Sequence, residues 1–289
     1  MGVVSSGSSL AARRKLAAEL RGLRDGAGMT IEEVAEELGC HISKISRIET
    51  AKRNCTGQDF KGLMDLYDVS AERREELAEL MSRAKQRTPP WWHAYGEIVT
   101  HNYSEFMSYE AEAVRSCEYQ SVLIPGLLQT EDYARAVTGP GFTVFDPDQI
   151  DSLVEVRMTR QKLVRDDDPL VLDAVVTEAA LRILVGGIDV MRGQLRHLSQ
   201  VTRRDNIRFR VIPFEAGQLG AMTGAFVLFG TQKDSEPDAA FMESTEGSRF
   251  SDDLLALRRL NRLFKNLSDA ALSEDDSREL VIRIEKELV

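Results

Sequence analysis

The chain has 289 residues, 43% of them apolar and 29% charged, with a net charge of −10. That length suggests two domains, and uniform acidity would argue against a nucleic-acid partner. The acid is unevenly spread, however: residues 1–88 hold 15 Lys and Arg against 14 Asp and Glu, and the remainder holds 22 against 33. Phosphate is therefore not repelled, on average, by the N-terminal part.

In chain order, residues 9–26 read as a first helix, capped by Ser8 or Ser9, with Leu10, Leu16, Leu20 and Leu23 roughly on one face. A second helix starts at Thr30. Glu33 stands three residues on, the spacing of a capping box, and Ile31, Val34, Ala35 and Leu38 follow at the spacing of a buried stripe. Gly39 suits the left-handed conformation that ends a helix. A third helix runs over about 42–50, "NCTGQ" is a loop, and helices follow at about 57–67 and 71–86. "RTPPWW" (87–92) cannot continue a helix, because its two prolines lack the amide and clash with the preceding turn. The domain boundary falls there, giving domains of 1–88 and 89–289.

Beyond the boundary the texture changes. Strand-like runs appear at 118–124, 170–176, 207–213, 225–231 and 239–244, with helical patterns at about 131–138, 147–165, 178–185, 188–204, 251–266 and 273–287. The second domain is mixed α+β, after an all-α first domain. Trp91, Trp92, Tyr95, Tyr103, Phe106 and Tyr109 make an aromatic start to it, read as mortar between domains or across a dimer. "LIPGLLQTEDYARAV" (123–137) reads as a strand ended by Pro125–Gly126, then a helix capped by Thr130.

The stretch 30–50 has the parts of a helix-turn-helix. Ala35 is small where a second helix packs, Gly39 is in the turn, and Ile45 and Ile48 are anchors. The other face of the third helix carries Ile42, Ser43, Lys44, Ser46 and Arg47, followed by Lys52, Arg53 and Lys61. From 41 to 61 five basic residues stand against Glu49 and Asp59.

"LGCHISKISRIETAKR" closely resembles the recognition-helix signature of the Xre, lambda-repressor-like family of DNA-binding regulators, and residues 10–68 are similar to its helix-turn-helix as a whole. The resemblance implies that Ile42, Ser43, Ser46 and Arg47 read the major groove and that Lys44 and Thr30 touch phosphate. It also implies a structural ion pair between Arg24 and Glu49. Ile42 stands where the family often has a polar reader. It either meets a thymine methyl or packs inward. Ile31 replaces an often polar, phosphate-binding residue. Arg47 can take a guanine O6/N7 pair, worth roughly 1–3 kcal/mol of discrimination, or a phosphate.

"YEAEAVRSCEYQSVLIPGLLQTEDYARAV" (109–137), "VGGIDVMRGQLRHLSQ" (185–200), "IRFRVIPFEAGQLGAMTGAFVLF" (207–229) and "ALSEDDSREL" (271–280) resemble the long C-terminal domain of actinobacterial Xre-type regulators, including the WhiJ type. That group is described as antitoxin-like, is associated with sporulation and antibiotic-production loci, and often lies beside a gene for a very small partner protein. The resemblance implies a transcriptional regulator with a partner- or effector-responsive domain; since a single helix-turn-helix reads only a few base pairs, a homodimeric repressor is expected. The glycine-rich 213–226 is the stretch chosen for that surface, with Glu215, Gln218 and Met222 on it.

No enzyme is expected. His41, His93, His101 and His197 form no metal-ligand pair, no Ser/His/Asp or Cys/His arrangement can be argued, and no phosphate-binding Gly-rich loop is present, so neither cofactor nor metal is implied. "DDDP" (166–169) reads as a turn and "SEDDS" (273–277) as a helix start. Cys40, Cys55 and Cys117 are odd in number and widely spaced, which suits a reduced cytoplasm better than a disulfide framework. The first 15 residues lack an apolar core of signal-peptide length, and no apolar run approaches the roughly 18 residues of a membrane span.

Overall fold

A computed structural model describes residues 9–51, 53–85, 90–139, 146–220, 223–231, 236–244 and 247–288. Ser8, Lys52 and Met222 lie outside the described residues. The chain divides into two compact units, Met1–His93 and Ala94–Val289.

The first unit is all-α. Its helices are α1 (Ser9–Gly26), α2 (Ile31–Glu37), α3 (Ile42–Glu49), α4 (Gly57–Leu66) and α5 (Ala71–Ala84). The core comes from one stripe of each helix: Ala12, Leu16 and Leu20, Val34 and Ala35, Ile45 and Ile48, Phe60, Leu63 and Met64, then Leu77 and Leu80. Gly62 on α4 lets this packing close, since a Cβ there would stand 2.8 Å from Leu38.

The second unit is built on a six-stranded mixed sheet of order β3-β2-β1-β4-β5-β6. The strands are β1 (Arg115–Gln120), β2 (Val171–Thr177), β3 (Ile207–Ile212), β4 (Phe226–Gly230), β5 (Ala239–Ser244) and β6 (Gly247–Ser251). The first three are parallel neighbours; β4, β5 and β6 add antiparallel. The helices are α6 (His101–Glu112), α7 (Glu131–Thr138), α8 (Pro147–Arg160), α9 (Ala179–Arg182), α10 (Ile188–Val201), α11 (Leu254–Ala270) and α12 (Glu274–Glu287). On one sheet face Leu172, Ala174, Val176, Phe209 and Val211 pack with α10 and α12. On the other, Cys117, Tyr119, Val175, Phe226 and Leu228 pack under Leu257, Phe264 and Leu267 of α11. An all-α domain followed by an α+β domain is the fold class expected above.

Several elements depart from expectation. Helix α6 and strand β6 were not expected. The first strand lies at 115–120 rather than 118–124: the apolar "VLI" drew the reading downstream, whereas the paired residues are half polar. Phe106 and Tyr109 are mortar of a different kind, within the second unit. Phe106 stands 5.2 Å, ring to ring, from both Phe229 and Phe241, and Tyr109 stands 5.1 Å from Phe250. Thr130 caps α7 as expected, accepting from the Tyr133 amide, and the preceding Leu127 and Leu128 are buried in the corner. Asp166, Asp167 and Asp168 sit in bends before β2, and Ser273 caps α12 through the Asp276 amide.

Candidate nucleic-acid interface

The geometry of α2 and α3 comes from their ends. Thr30 Oγ1 accepts from the Glu33 amide while the Glu33 carboxylate accepts from the Thr30 amide at 2.7 Å, so both free donors are met. At the other end Gly39 has φ +59, the Cys40 amide donates to the Ala35 carbonyl and the Gly39 amide to that of Glu36. This paired closure stops α2 and turns the chain into α3 within four residues. His41 then caps α3: its Nδ1 accepts from the Ser43 amide at 3.2 Å and lies 2.9 Å from Ser43 Oγ.

Ile45 and Ile48 anchor α3 in the core, and Glu49 is buried beside them. Glu49 receives Arg24 in fork geometry, Nε to Oε1 at 2.9 Å and the Nη2 amine to Oε2 at 3.0 Å; the Arg24 Nη1 amine also donates to the Met29 carbonyl at 2.8 Å. These bonds lock the end of α1, the start of α2 and the end of α3 together.

The outward face of α3 holds Ile42, Ser43, Ser46 and Arg47. Ile42 is 45% exposed, so the inward-packing alternative does not hold. Ser43 and Ser46 are half-buried and Arg47 and Arg53 exposed; among the described residues neither arginine has an ion-pair partner. Two of the residues expected at phosphate also have partners within the protein. Lys44, expected at phosphate, directs its ammonium 2.5 Å from Asp59, an almost buried carboxylate that also closes the capping box of α4 with Thr56. Burial pushes the Asp59 carboxyl up, but Lys44 and the Thr56 bonds outweigh it and hold it below the usual range. Thr30 is exposed, but its hydroxyl is committed to Glu33, whose carboxylate disfavours a phosphate beside it. Sequence reasoning passed over His41, although it occupies the cap position, because histidine is not among the usual capping residues.

Residues 15–77 match the family described as a helix-turn-helix domain. Residues 103–283, more than half of the chain, match the family described as a domain of unknown function, DUF5753. The chain belongs to the DUF5753 family. No curated protein matches it, and no solved structure does. The helix-turn-helix makes this DUF5753 protein a DNA-binding regulator in the general sense.

Its DUF5753 domain offers two surfaces. The parallel strands β1, β2 and β3 release their chains at one edge of the sheet, and exposed apolar side chains follow these strand ends along the chain: Val122 after β1, Ile183 and Leu184 after β2 and α9, and Phe214, 57% exposed, after β3. Glu215 and Gln218, both exposed, continue from Phe214 on a 3-10 turn. The second surface is a cleft of about 400 Å³ between the sheet and α11, lined by Arg115, Asp173, Arg210, Lys265 and Ser268 over a floor of Cys117, Leu228 and Phe264. There buried Asp173 accepts from Arg210 at 2.7 Å and from Arg115 at 3.4 Å. Burial pushes the Cys117 thiol up to about 11, so it lines the cleft as a neutral group.

Among the described residues no three His, Cys, Asp or Glu side chains converge as a metal-holding group, and no helix is long and apolar enough to cross a membrane.

Proposed function

We propose that this DUF5753 protein is a sequence-specific transcriptional regulator of the Xre type, a cytoplasmic, non-enzymatic homodimeric repressor of the WhiJ kind found in actinobacteria. It controls developmental or secondary-metabolism genes and responds to a small partner protein encoded beside it. The observation that carries the DNA-reading half is the outward face of α3: an exposed Ile42, two serines and Arg47, which has no ion-pair partner among the described residues, on a helix whose opposite side is pinned by Ile45, Ile48 and Glu49. A rigid helix offering apolar, hydroxyl and guanidinium groups together suits the major groove, where methyl, donor and acceptor patterns differ for every base pair. One such helix reads only a few base pairs. Two in a dimer, about 34 Å apart, read a palindrome.

The partner-responsive half rests on the exposed apolar side chains in the segments that follow β1, β2 and β3, which favour an interaction surface over a solvated one. An antitoxin-like role, in which binding the partner is the main business and DNA binding serves autoregulation, uses the same surface. The charged cleft under α11 favours a second reading, a repressor sensing a small polar molecule.

The test is a gel shift of the full chain on a duplex from its own upstream region, with and without the product of the adjacent small gene, at two salt concentrations. A specific shift altered by that product is expected. A shift indifferent to it overturns partner control and leaves the small-molecule reading; no shift overturns the DNA-binding regulator itself.

A further inference from the structure

The cap of α3 fixes which nitrogen of His41 carries the proton. The Ser43 backbone amide can only donate, and it points at His41 Nδ1 from 3.2 Å. Nδ1 must therefore present its lone pair, and the neutral ring carries its proton on Nε2. Ser43 Oγ lies 2.9 Å from the same nitrogen and can turn its hydroxyl hydrogen towards that lone pair. Nε2 lies across the ring from the helix end, on an exposed side chain, and the described contacts assign it no acceptor. His41 thus holds an N–H donor out from the N-terminal cap of α3, beside the exposed Ile42.

We propose that His41 is a base-reading residue, donating from Nε2 to a purine acceptor in the major groove while Ile42 covers a neighbouring thymine methyl. This rests on the DNA-reading role of α3 and names what its tip recognises. Residues at the N-terminal end of a recognition helix are those that reach base edges. The major groove offers N7 and O6 of guanine or N7 of adenine as acceptors, and the thymine methyl as its apolar mark. A donor and an apolar group on consecutive residues read an acceptor next to a methyl, a purine beside a thymine. The donor is pre-oriented because the ring is already committed to its own backbone, so little rotamer freedom is lost on binding.

The experiment uses the full-length chain and duplexes it enriches from a randomised library. His41→Ser keeps a capping oxygen and removes the outward donor; His41→Asn keeps a capping oxygen and an amide donor; His41→Ala removes both. His41→Ser is expected to unfold at the wild-type temperature and to bind the enriched duplex between about threefold and tenfold more weakly, the worth of one neutral hydrogen bond. Its binding to a scrambled duplex is expected to be unchanged. Library selection with His41→Ser is expected to relax the purine preference, and selection with Ile42→Ala the adjacent thymine preference, while His41→Asn recovers part of the affinity. Undiminished binding by His41→Ser overturns this reading alone, as does an equal loss on both duplexes, which marks a backbone contact. A wild-type chain that enriches no sequence overturns the DNA-reading role with it.

Discussion

Arg24 and Glu49 show how residue-scale chemistry holds α3 in place. Their side chains are only 11% and 4% exposed, so neither charge has water to fall back on if the other is removed. Arg24→Ala leaves Glu49 buried without its cation and is expected to destabilise the first domain by about 3–5 kcal/mol, measured by urea unfolding; a change within 1 kcal/mol would show Glu49 solvated by other means. Lys44 is a different case. Its ammonium holds Asp59 at the start of α4, so Lys44→Ala is expected to cost about 1 kcal/mol of stability and to leave the salt dependence of DNA binding unchanged. Had Lys44 been a phosphate contact, the slope of log affinity against log salt would fall by roughly one unit.

At the scale of elements, legibility divides by how an element is buried. Helix α2 announced itself because Thr30, Glu33 and Gly39 each carry a local signal that no tertiary contact needs to supply. Helix α6 did not. Glu105, Met107, Ser108, Tyr109 and Glu110 are all buried along it, so there is no single apolar stripe to find. One of the polar residues is inside because its partner lies across the fold: Glu110 accepts two bonds from Arg160 of α8, at 2.6 and 2.7 Å, fifty positions away; Ser108 instead donates to the Ser104 carbonyl of its own helix. Strand β1 hid because its buried side is polar, with Ser116, Glu118 and Gln120 facing inward. Glu118 is the consequence with a measurable signature. Burial pushes its carboxyl up to about 7; the Gln120 amide and Arg160 oppose this, and Glu243 and Glu110 add to it. The folded chain therefore holds a proton that the unfolded chain releases above its ordinary range near 4.5. Stability is full below that range and falls as pH rises towards 7, by on the order of 3 kcal/mol. Glu118→Gln, neutral at every pH, is expected to abolish that part of the decline in urea unfolding followed from pH 4.5 to 7.5. A variant whose stability tracks the wild type across the window would show that Glu118 does not titrate there.

On the scale of the whole molecule, the two units each close their own core, one from residues 12–84 and the other around the six-stranded sheet. The charge asymmetry between them was visible in the sequence, as was the division of α3 into a buried side and an outward side, because a helix-turn-helix is a local motif whose spacing survives any context. The ion pair of Lys44 was not legible because its partner lies on another helix, and spacing along α3 carries no trace of Asp59. The carboxyl edge of the parallel strands was out of reach for a related reason. Val122, Leu184 and Phe214 are far apart in the chain, and only the order β3-β2-β1 brings the ends of their strands to one edge.

The most direct test of the central claim, that the outward face of α3 reads base sequence, is an anisotropy titration of wild type and Arg47→Ala. The duplexes are one from the protein's own upstream region and a scrambled one of the same composition. Wild type is expected to prefer its own duplex, and Arg47→Ala to lose roughly 5–150-fold on it, the 1–3 kcal/mol of a bidentate guanine contact, with the scrambled affinity held. Equal wild-type affinity for both duplexes, or equal losses on both for Arg47→Ala, would contradict it.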